Sequence, residues 1–221
     1  MTGKKRILCF GDSLIWGWMP IAEVVPTTRY PFAERWTGVL ATHLGDNFEI
    51  IEEGLSGRTT DLDDPTDPRL NGSTYLPSAL ATHLPLDLVI LLLGTNDTKT
   101  YFNRSAYDIT VGMSKLLVQV ATSAGGVGTV YPAPGMLLMS PPPLADMTDP
   151  WLQLTFEGAQ AKSRELSRHY AALAQFFKVD FLDAGAVIAT GGIDGIHLTA
   201  QNNADLGKAV ARKVQAMFGH N

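Results

Sequence analysis

Six apolar residues follow one another without a polar interruption in the stretch Leu88-Val89-Ile90-Leu91-Leu92-Leu93. A strand with water on one face alternates apolar and polar residues, whereas a strand covered by helices on both faces is a continuous apolar run. The stretch therefore predicts a central strand, over residues 86–93, of a sheet that is buried on both faces.

Shorter apolar runs on either side of this stretch predict four more strands, with segments of helical spacing between them. The other predicted strands cover residues 6–10, 48–52, 136–140 and 179–182, and the predicted helices cover 32–44, 106–122, 157–177 and 199–218. Because strands and helices alternate, the sequence predicts an α/β fold with a five-stranded parallel sheet and helices on both sides. There is no evident linker or internal repeat, so residues 1–221 are expected to form a single domain.

The composition is that of a globular protein, since 45% of the 221 residues are hydrophobic and 18% are charged. A chain of this length is large enough to bury a continuous core. The formal net charge is −5 and no run of Lys and Arg stands out, so nucleic acid is not an expected partner. The one cysteine, Cys9, lies in an apolar run and is expected to be a small buried side chain.

The N-terminal residues Lys4-Lys5-Arg6 resemble the start of a signal peptide, but the apolar stretch that follows ends at Gly11. That stretch is short for a signal peptide, and no part of the sequence is long and apolar enough to span a bilayer. We therefore expect a cytoplasmic protein that does not bind membranes.

Three connections are longer or richer in proline and glycine than the predicted fold requires, namely residues 16–31, 54–71 and 125–134. Long ordered loops in a compact domain usually carry function. Aromatic residues such as Trp18 and Tyr131 lie in them, which favours ordered loops over disordered ones. Such loops can also bury apolar patches between subunits, so we expect a homo-oligomer.

Polar segments are found where strands are predicted to end, and the carboxyl ends of parallel strands share one edge, outside which ligands bind. Three of the segments follow the first three strands, and the fourth precedes the last helix. They are Gly11-Asp12-Ser13-Leu14, Gly54-Leu55-Ser56-Gly57-Arg58, Gly94-Thr95-Asn96-Asp97 and Asp194-Gly195-Ile196-His197. We expect all four to meet at that edge of the sheet.

These segments contain the groups that acyl transfer requires, which are a nucleophile, a base, a group that orients the base, and donors for an oxyanion. Ser13 is the candidate nucleophile, His197 the candidate base, and Asp194 the residue that orients the imidazole. The backbone N–H groups of Ser13 and Gly57 and the side-chain amide of Asn96 are candidate oxyanion donors. The sequence therefore predicts a serine-dependent acyl-transfer site.

Over residues 7–199, the four segments resemble the sequence blocks of the GDSL, or SGNH, hydrolases, in the same order. The resemblance implies a flavodoxin-like three-layer sandwich with the catalytic triad Ser13, Asp194 and His197. It also implies that Ser13, Gly57 and Asn96 form the oxyanion hole and that Ser13 carries the acyl group.

Residues 54–85 and 87–99 further resemble the bacterial arylesterase and acyltransferase branch of these hydrolases, which includes mycobacterial members. The branch implies that the substrates are esters of small carboxylic acids and that the acyl group passes to water, an alcohol or hydrogen peroxide. It also implies a homo-oligomer. No metal or organic cofactor is implied, and the acidic residues near Asp64 lack the spacing of an EF-hand.

Simpler interpretations exist for the individual residues. Ser13 could be a helix N-cap, Asp194 a turn cap and His197 a buried structural histidine. The presence of all four segments favours the catalytic interpretation. Because the Gly-x-Ser-x-Gly pattern of the α/β-hydrolases is absent around Ser13, this serine is expected to begin a helix.

The acidic and amide neighbours of these residues have structural interpretations of their own. Asn96 could close an Asx-turn, and Asp97 is interpreted as a cap of the next helix. Asp12 is expected to shape the turn that presents the nucleophile.

Five residues are expected to form the acyl or alcohol pocket, because each lies near one of the four segments or on a loop over the sheet edge. Trp18, Thr95, Phe156 and Ile196 are expected to wall the pocket, and Lys99 to rim its entrance.

Two other functions stay open at this stage. The same triad could serve a carbohydrate O-acetylesterase or a thioesterase, because the triad does not choose the leaving group. The chain could also be a catalytically silent binding module, because a fold does not fix a function.

Overall fold

The sheet has five parallel strands, in a computed structural model that describes residues 3–190 and 193–219. The strands are β1 (Lys5–Gly11), β2 (Phe48–Gly54), β3 (Leu88–Leu92), β4 (Gly135–Ser140) and β5 (Asp180–Asp183). Their order across the sheet is β2-β1-β3-β4-β5, the order of flavodoxin-like folds. The predicted five-stranded parallel sheet is confirmed, and each strand ends within two residues of its predicted bounds.

Helices cover both faces of the sheet. They are α1 (Ser13–Trp16), α2 (Trp36–Leu44), α3 (Gly72–His83), α4 (Ala106–Ala121), α5 (Pro150–Thr155), α6 (Ala159–Phe177) and α7 (Ala200–Gly219). The four predicted helical segments are confirmed as α2, α4, α6 and α7, except that a 3₁₀ turn replaces the first residues of the segment that contains α2. None of the helices in the described part of the chain is long and apolar enough to cross a membrane.

Helix α3 was not predicted, because it contains Pro77, which has no backbone N–H and normally interrupts a helix. The missing N–H would bond to the carbonyl of Ser73, four residues earlier. In the folded chain, Gln119 Nε2 of α4 donates a hydrogen bond to that carbonyl at 2.7 Å. A neighbouring helix therefore supplies the bond that the local sequence cannot make.

Alternate residues of the central strand enter different cores, as its continuous apolar run predicts. Val89 and Leu91 pack in the core beneath α3, α4 and α6. Ile90 and Leu92 pack in the core beneath α1, α2 and α7, where Cys9 is also fully buried. Burial raises the pKa of the Cys9 thiol, so the cysteine has the inert buried setting expected from the sequence.

The packing of α2 against α7 holds α1 in place. Trp36, at the start of α2, is fully buried, and its Nε1 donates to the carbonyl of Leu14 in α1 at 2.9 Å. Its backbone N–H donates to Asn203 Oδ1 of α7 at 3.0 Å. Gly207 of α7 lies so close that an added Cβ would be 2.6 Å from the Trp36 carbonyl oxygen. Trp36 thus connects both helices to the short helix that begins with Ser13.

The close approach of α7 to α2 predicts that Gly207→Ala destabilises the protein. Alanine would gain about 1 kcal/mol of helix propensity, but its methyl group would overlap a backbone atom that cannot easily move. We expect a net loss of about 1–3 kcal/mol in the free energy of unfolding, measured by urea titration.

Gly219→Ala, at the end of the same helix, is the matched control, since its added Cβ meets no described atom within 4 Å. Equal stability of the two variants would show that α7 can move away from α2 without cost.

Candidate active site

Ser13 lies at the point where β1 passes into α1. Asp12 caps this helix, and its Oδ1 accepts a hydrogen bond from the Leu14 N–H at 2.9 Å. Ser13 is the first residue of the helix, where backbone N–H groups have no partner within the helix. The structure thus confirms that Ser13 begins a helix and that Asp12 shapes the turn before it.

Ser13, His197 and Asp194 form a chain of hydrogen-bonding contacts. Ser13 Oγ lies 2.9 Å from His197 Nε2, and His197 Nδ1 lies 2.7 Å from Asp194 Oδ2. Asp194 Oδ1 also accepts the backbone N–H groups of Ile196 and His197, at 3.0 and 2.9 Å. The carboxylate therefore holds both the loop and the imidazole that the loop carries.

The charge on Asp194 decides which imidazole nitrogen carries the proton. Burial acts to raise the pKa of this carboxyl, but the hydrogen bond and charge of His197, with the two backbone N–H groups, hold the pKa below its usual value. An ionised carboxylate accepts the proton on Nδ1. The lone pair of Nε2 then faces the hydroxyl of Ser13, as a general base requires.

The three residues that provide the candidate oxyanion donors line one cavity together with His197. They are Ser13, Gly57 and Asn96. Gly57 has a backbone φ of +90°, a conformation that residues other than glycine rarely adopt. Asn96 Nδ2 donates to the carbonyl of Arg58 at 3.1 Å and to Asp12 Oδ2 at the longer distance of 3.3 Å. The amide of Asn96 is therefore fixed by the Gly57 loop on one side and by the nucleophile turn on the other.

Asp97 connects the loops that follow β2 and β3. Its carboxylate is fully buried and accepts the N–H of Thr60 at 3.0 Å and the Thr60 hydroxyl at 2.5 Å. Arg104 donates to it at 3.2 Å. The interpretation of Asp97 as a helix cap is wrong, because a buried carboxylate takes its donors from the loop across the site.

The candidate site opens into a cavity of about 400 Å³. Four of the five predicted pocket residues line it, namely Trp18, Lys99, Phe156 and Ile196. The expectation for Thr95 is wrong. Thr95 is buried outside the lining of this cavity, and its carbonyl accepts a hydrogen bond from the Thr98 hydroxyl at 2.6 Å.

Lys99 reaches the cavity while it is paired with a buried carboxylate. Its Nζ lies 3.5 Å from Asp64 Oδ2, which also accepts a hydrogen bond from the hydroxyl of Tyr101 at 2.8 Å.

Within residues 3–190 and 193–219, no group of three or more His, Cys, Asp or Glu side chains is arranged to hold a metal ion.

One wall of the cavity was missed by the sequence analysis, because helix α5 was not predicted. Trp151, Leu152 and Thr155 of α5 line the cavity, as do Ser56, Val24 and Val25 of two long loops. The signal for α5 was present, since Asp149 caps its first turn and Pro150 is its first residue. Asp followed by Pro is a typical helix start.

Asp12 occupies an unusual electrostatic position. Its side chain is fully buried, and burial raises its pKa to about 7. The nearby charge of Asp97 acts in the same direction, and the Leu14 N–H, Arg58 and Lys99 oppose it. Near neutral pH, the carboxyl beside the nucleophile therefore changes between its neutral and ionised forms.

Comparisons with known proteins point to one family. A family model described as the GDSL-like lipase/acylhydrolase family matches residues 9–204. No curated protein matches the chain at a significant level.

Solved structures agree with the family match. Est24, a carbohydrate acetylesterase from Sinorhizobium meliloti, is 63% identical with a TM-score of 0.96, covering 97% of this chain and 100% of that one. The native aryl esterase of M. smegmatis is 66% identical with a TM-score of 0.95, covering 96% and 99%. A second carbohydrate acetylesterase family member from S. meliloti is 35% identical with a TM-score of 0.87, covering 97% and 99%.

The buried position of Asp12 predicts a pH-dependent effect of Asp12→Asn on stability. A carboxyl with a pKa of about 7 in the folded state and about 4 in the unfolded state makes the folded state bind more protons between these values. Wild-type stability therefore falls as pH rises from about 4 to 7, relative to the variant. We expect the variant's free energy of unfolding, minus that of wild type, to rise by about 3 kcal/mol from pH 5 to pH 8 in urea titrations.

Asp46→Asn, at an exposed position after α2, is the control for removal of a carboxylate. A difference between Asp12→Asn and wild type that stays constant from pH 5 to pH 8 would show that burial does not perturb Asp12.

Proposed function

This chain belongs to the GDSL-like lipase/acylhydrolase family, and we propose that it cleaves esters of small carboxylic acids through an acyl-enzyme on Ser13. It is a carboxylic ester hydrolase, as its family and its aryl esterase and acetylesterase neighbours indicate. The assignment of roles rests on one observation, the contacts of His197 with Ser13 Oγ at 2.9 Å and with Asp194 at 2.7 Å.

In the proposed reaction, Ser13 Oγ attacks the carbonyl carbon of the ester while its proton passes to His197 Nε2. The tetrahedral intermediate then breaks its bond to the alcohol oxygen, which takes the proton from Nε2, and the acyl group stays on Ser13. A water molecule next gives a proton to Nε2 and attacks the acyl-enzyme. The carboxylic acid leaves as the proton returns to Ser13 Oγ.

The oxyanion of each tetrahedral intermediate would be held by the N–H groups of Ser13 and Gly57 and by the amide of Asn96. Asn96 has two amide hydrogens, and the one that faces Asp12 has the longer contact, 3.3 Å against 3.1 Å for the Arg58 carbonyl. We assign the hydrogen facing Asp12 to the oxyanion. The bond to Arg58 would stay in place and keep the amide oriented during the reaction.

The cavity lining favours transfer of the acyl group to alcohols as well as to water. Its lining is mainly apolar, with Trp18, Phe156, Leu152 and Ile196 on the walls. An apolar pocket binds an alcohol more favourably than it binds water, so an alcohol would compete with water for the acyl-enzyme.

Vinyl acetate with and without benzyl alcohol in water tests this proposal. The expected result is benzyl acetate beside acetic acid, both measured by gas chromatography. Acetic acid alone, at the rate seen without the alcohol, would restrict the function to hydrolysis.

Carbohydrate acetates are a second candidate substrate class, favoured by the 63% identity to the S. meliloti carbohydrate acetylesterase. The ratio of kcat/KM for p-nitrophenyl acetate to that for an acetylated xyloside decides between the two classes, once each value is divided by the rate constant for hydroxide-catalysed hydrolysis of the same ester. We expect the aryl ester to be preferred, because the walls of the cavity are apolar and aromatic.

A homo-oligomer and a cytoplasmic location are part of the proposal. Large apolar side chains are exposed both on the long loops and on the helices, among them Val25, Val130, Trp151 and Phe176. Val25 and Trp151 lie together at the same cavity, and an exposed apolar surface of this kind favours contacts between subunits. A particle of monomer mass in light scattering at micromolar concentration would refute the oligomer.

The proposed roles predict how two variants fail. Ser13→Ala should lower kcat/KM for p-nitrophenyl acetate by at least about a thousandfold and abolish labelling by a serine-directed phosphonate. Asn96→Ala should lower kcat by about 100-fold or more and keep the phosphonate reactive. Steady-state kinetics and mass spectrometry of the labelled peptide measure both effects.

Ser78→Ala, at an exposed position on α3, is the matched serine control and should keep wild-type activity. Labelling of wild type at a residue other than Ser13 would contradict the assignment of the nucleophile.

A further inference from the structure

Trp18 is stacked on the imidazole of His197. The ring centroids are 4.9 Å apart and the ring planes differ by 16°, so the indole covers one face of the imidazole. The Asp194 carboxylate meets the same imidazole at its Nδ1, 2.7 Å away, and Ser13 Oγ meets it at Nε2. The indole adds a third kind of contact, to the face of the ring.

We propose that Trp18 is a positioning residue that stabilises the imidazolium form of His197 during both proton transfers. The proposal rests on the proposed function, in which His197 is the base. The face of an indole carries negative electrostatic potential and attracts a cation more than a neutral ring. The contact therefore strengthens when His197 gains a proton, and an interaction that strengthens on the way to the transition state accelerates the reaction.

The backbone of Trp18 is tied to the nucleophile. Its N–H donates to the carbonyl of Ser13 at 3.1 Å, and Trp18 pairs with Arg29 in an antiparallel bridge across the 16–31 loop. The indole Nε1 is buried and has no hydrogen-bond partner among the described residues. Ring packing and the backbone, rather than a hydrogen bond of the indole, therefore set the orientation of Trp18.

Arg29 connects the 16–31 loop to the sheet. Arg29 Nε donates to the carbonyl of Trp16 at 2.8 Å, and its guanidinium lies 5.2 Å from the centre of the Trp16 ring. Arg29 also donates to Glu52 of β2 at 3.2 Å, and Glu52 accepts further hydrogen bonds from Arg35 and Thr37. The centres of the Trp16 and Trp18 rings are 6.0 Å apart, so Trp16 connects Arg29 to the indole that is stacked on His197.

Other groups around His197 could also affect its protonation. The titratable or charged groups on the elements packed around it are Asp194 on its own loop, Asp146 in the segment that bonds to Gly195, Asp12 before Ser13, Tyr30 on the 16–31 loop and Lys99 across the cavity. Replacement of Trp18 leaves the identity of all five unchanged. Because Asp12 also titrates near neutral pH, a change in the pH profile is assigned to the indole only where the NMR titration of the His197 ring moves with it.

Trp18→Leu tests the proposal, because leucine keeps an apolar side chain but removes the π face. We expect kcat to fall about 2- to 30-fold with both p-nitrophenyl acetate and p-nitrophenyl butyrate. Loss of the π face destabilises the imidazolium, so the acidic limb of the pH profile of kcat/KM should move to lower pH. NMR titration of the His197 ring protons should show a shift in the same direction. Trp18→Phe keeps a weaker π face and should give smaller changes of the same sign. It replaces Trp18→Leu in these measurements if the leucine variant does not fold.

Phe156→Leu is the matched control, since Phe156 lines the same cavity, whereas the aromatic ring stacked on His197 is that of Trp18. It should change the preference between the two esters and leave the acidic limb in place. An unmoved acidic limb and an unmoved NMR titration in Trp18→Leu would overturn the proposal and leave Trp18 as a pocket wall. Failure of the proposed function would be recognised separately, because wild type would then not be labelled at Ser13 by the phosphonate.

Discussion

The burial of β3 on both faces is the constraint on which the rest of the structure depends. A strand without a polar face has to be covered on both sides, and helices on both faces of a sheet go with parallel strands that are connected through those helices. Parallel strands end at one edge of the sheet. The loops after β1, β2 and β3 are thereby brought to the place where Ser13, Gly57 and Asn96 line one cavity, and the loop before α7 adds His197.

Buried polar contacts between these loops then hold the site together. Asp97 joins the loop after β3 to Thr60 in the loop after β2, and Asp12 lies between Leu14 and Asn96. Burial raises the pKa of Asp97 to about 6 and that of Asp12 to about 7. The ionised form of each carboxyl therefore costs desolvation free energy at its position. The arrangement orients the amide of Asn96 and the turn of Ser13 at the expense of stability, as is common where a site must be organised in advance of its substrate.

Much of the fold and of the candidate site could be predicted from the sequence. The predictions that were wrong or lacking have physical causes. The strands and the long helices follow from apolar periodicity, and the positions of Ser13, Asp194 and His197 follow from the topology of a parallel sheet. Helix α3 was missed because a side chain from α4, distant in sequence, replaces the hydrogen bond that Pro77 removes. The roles of Asp97 and Thr95 were wrong because they depend on which loop packs opposite them, and the stack of Trp18 on His197 joins residues that no local pattern connects.

One wall of the cavity, formed by Trp151, Leu152 and Phe156, comes from the segment between β4 and α6. Phe156 and Ile196 belong to a small apolar cluster with Leu144, Met147 and Ala159, apart from the two cores that cover the sheet. Helix α5 is held to the loop after β3 through Thr100, whose hydroxyl donates to the carbonyls of Leu154 and Thr155. The consequence concerns selectivity: side chains in the segment between β4 and α6 can change the shape of this wall while the loops that carry Ser13, Gly57 and Asn96 keep their sequence. Within one family, selectivity and chemistry can therefore evolve at different rates.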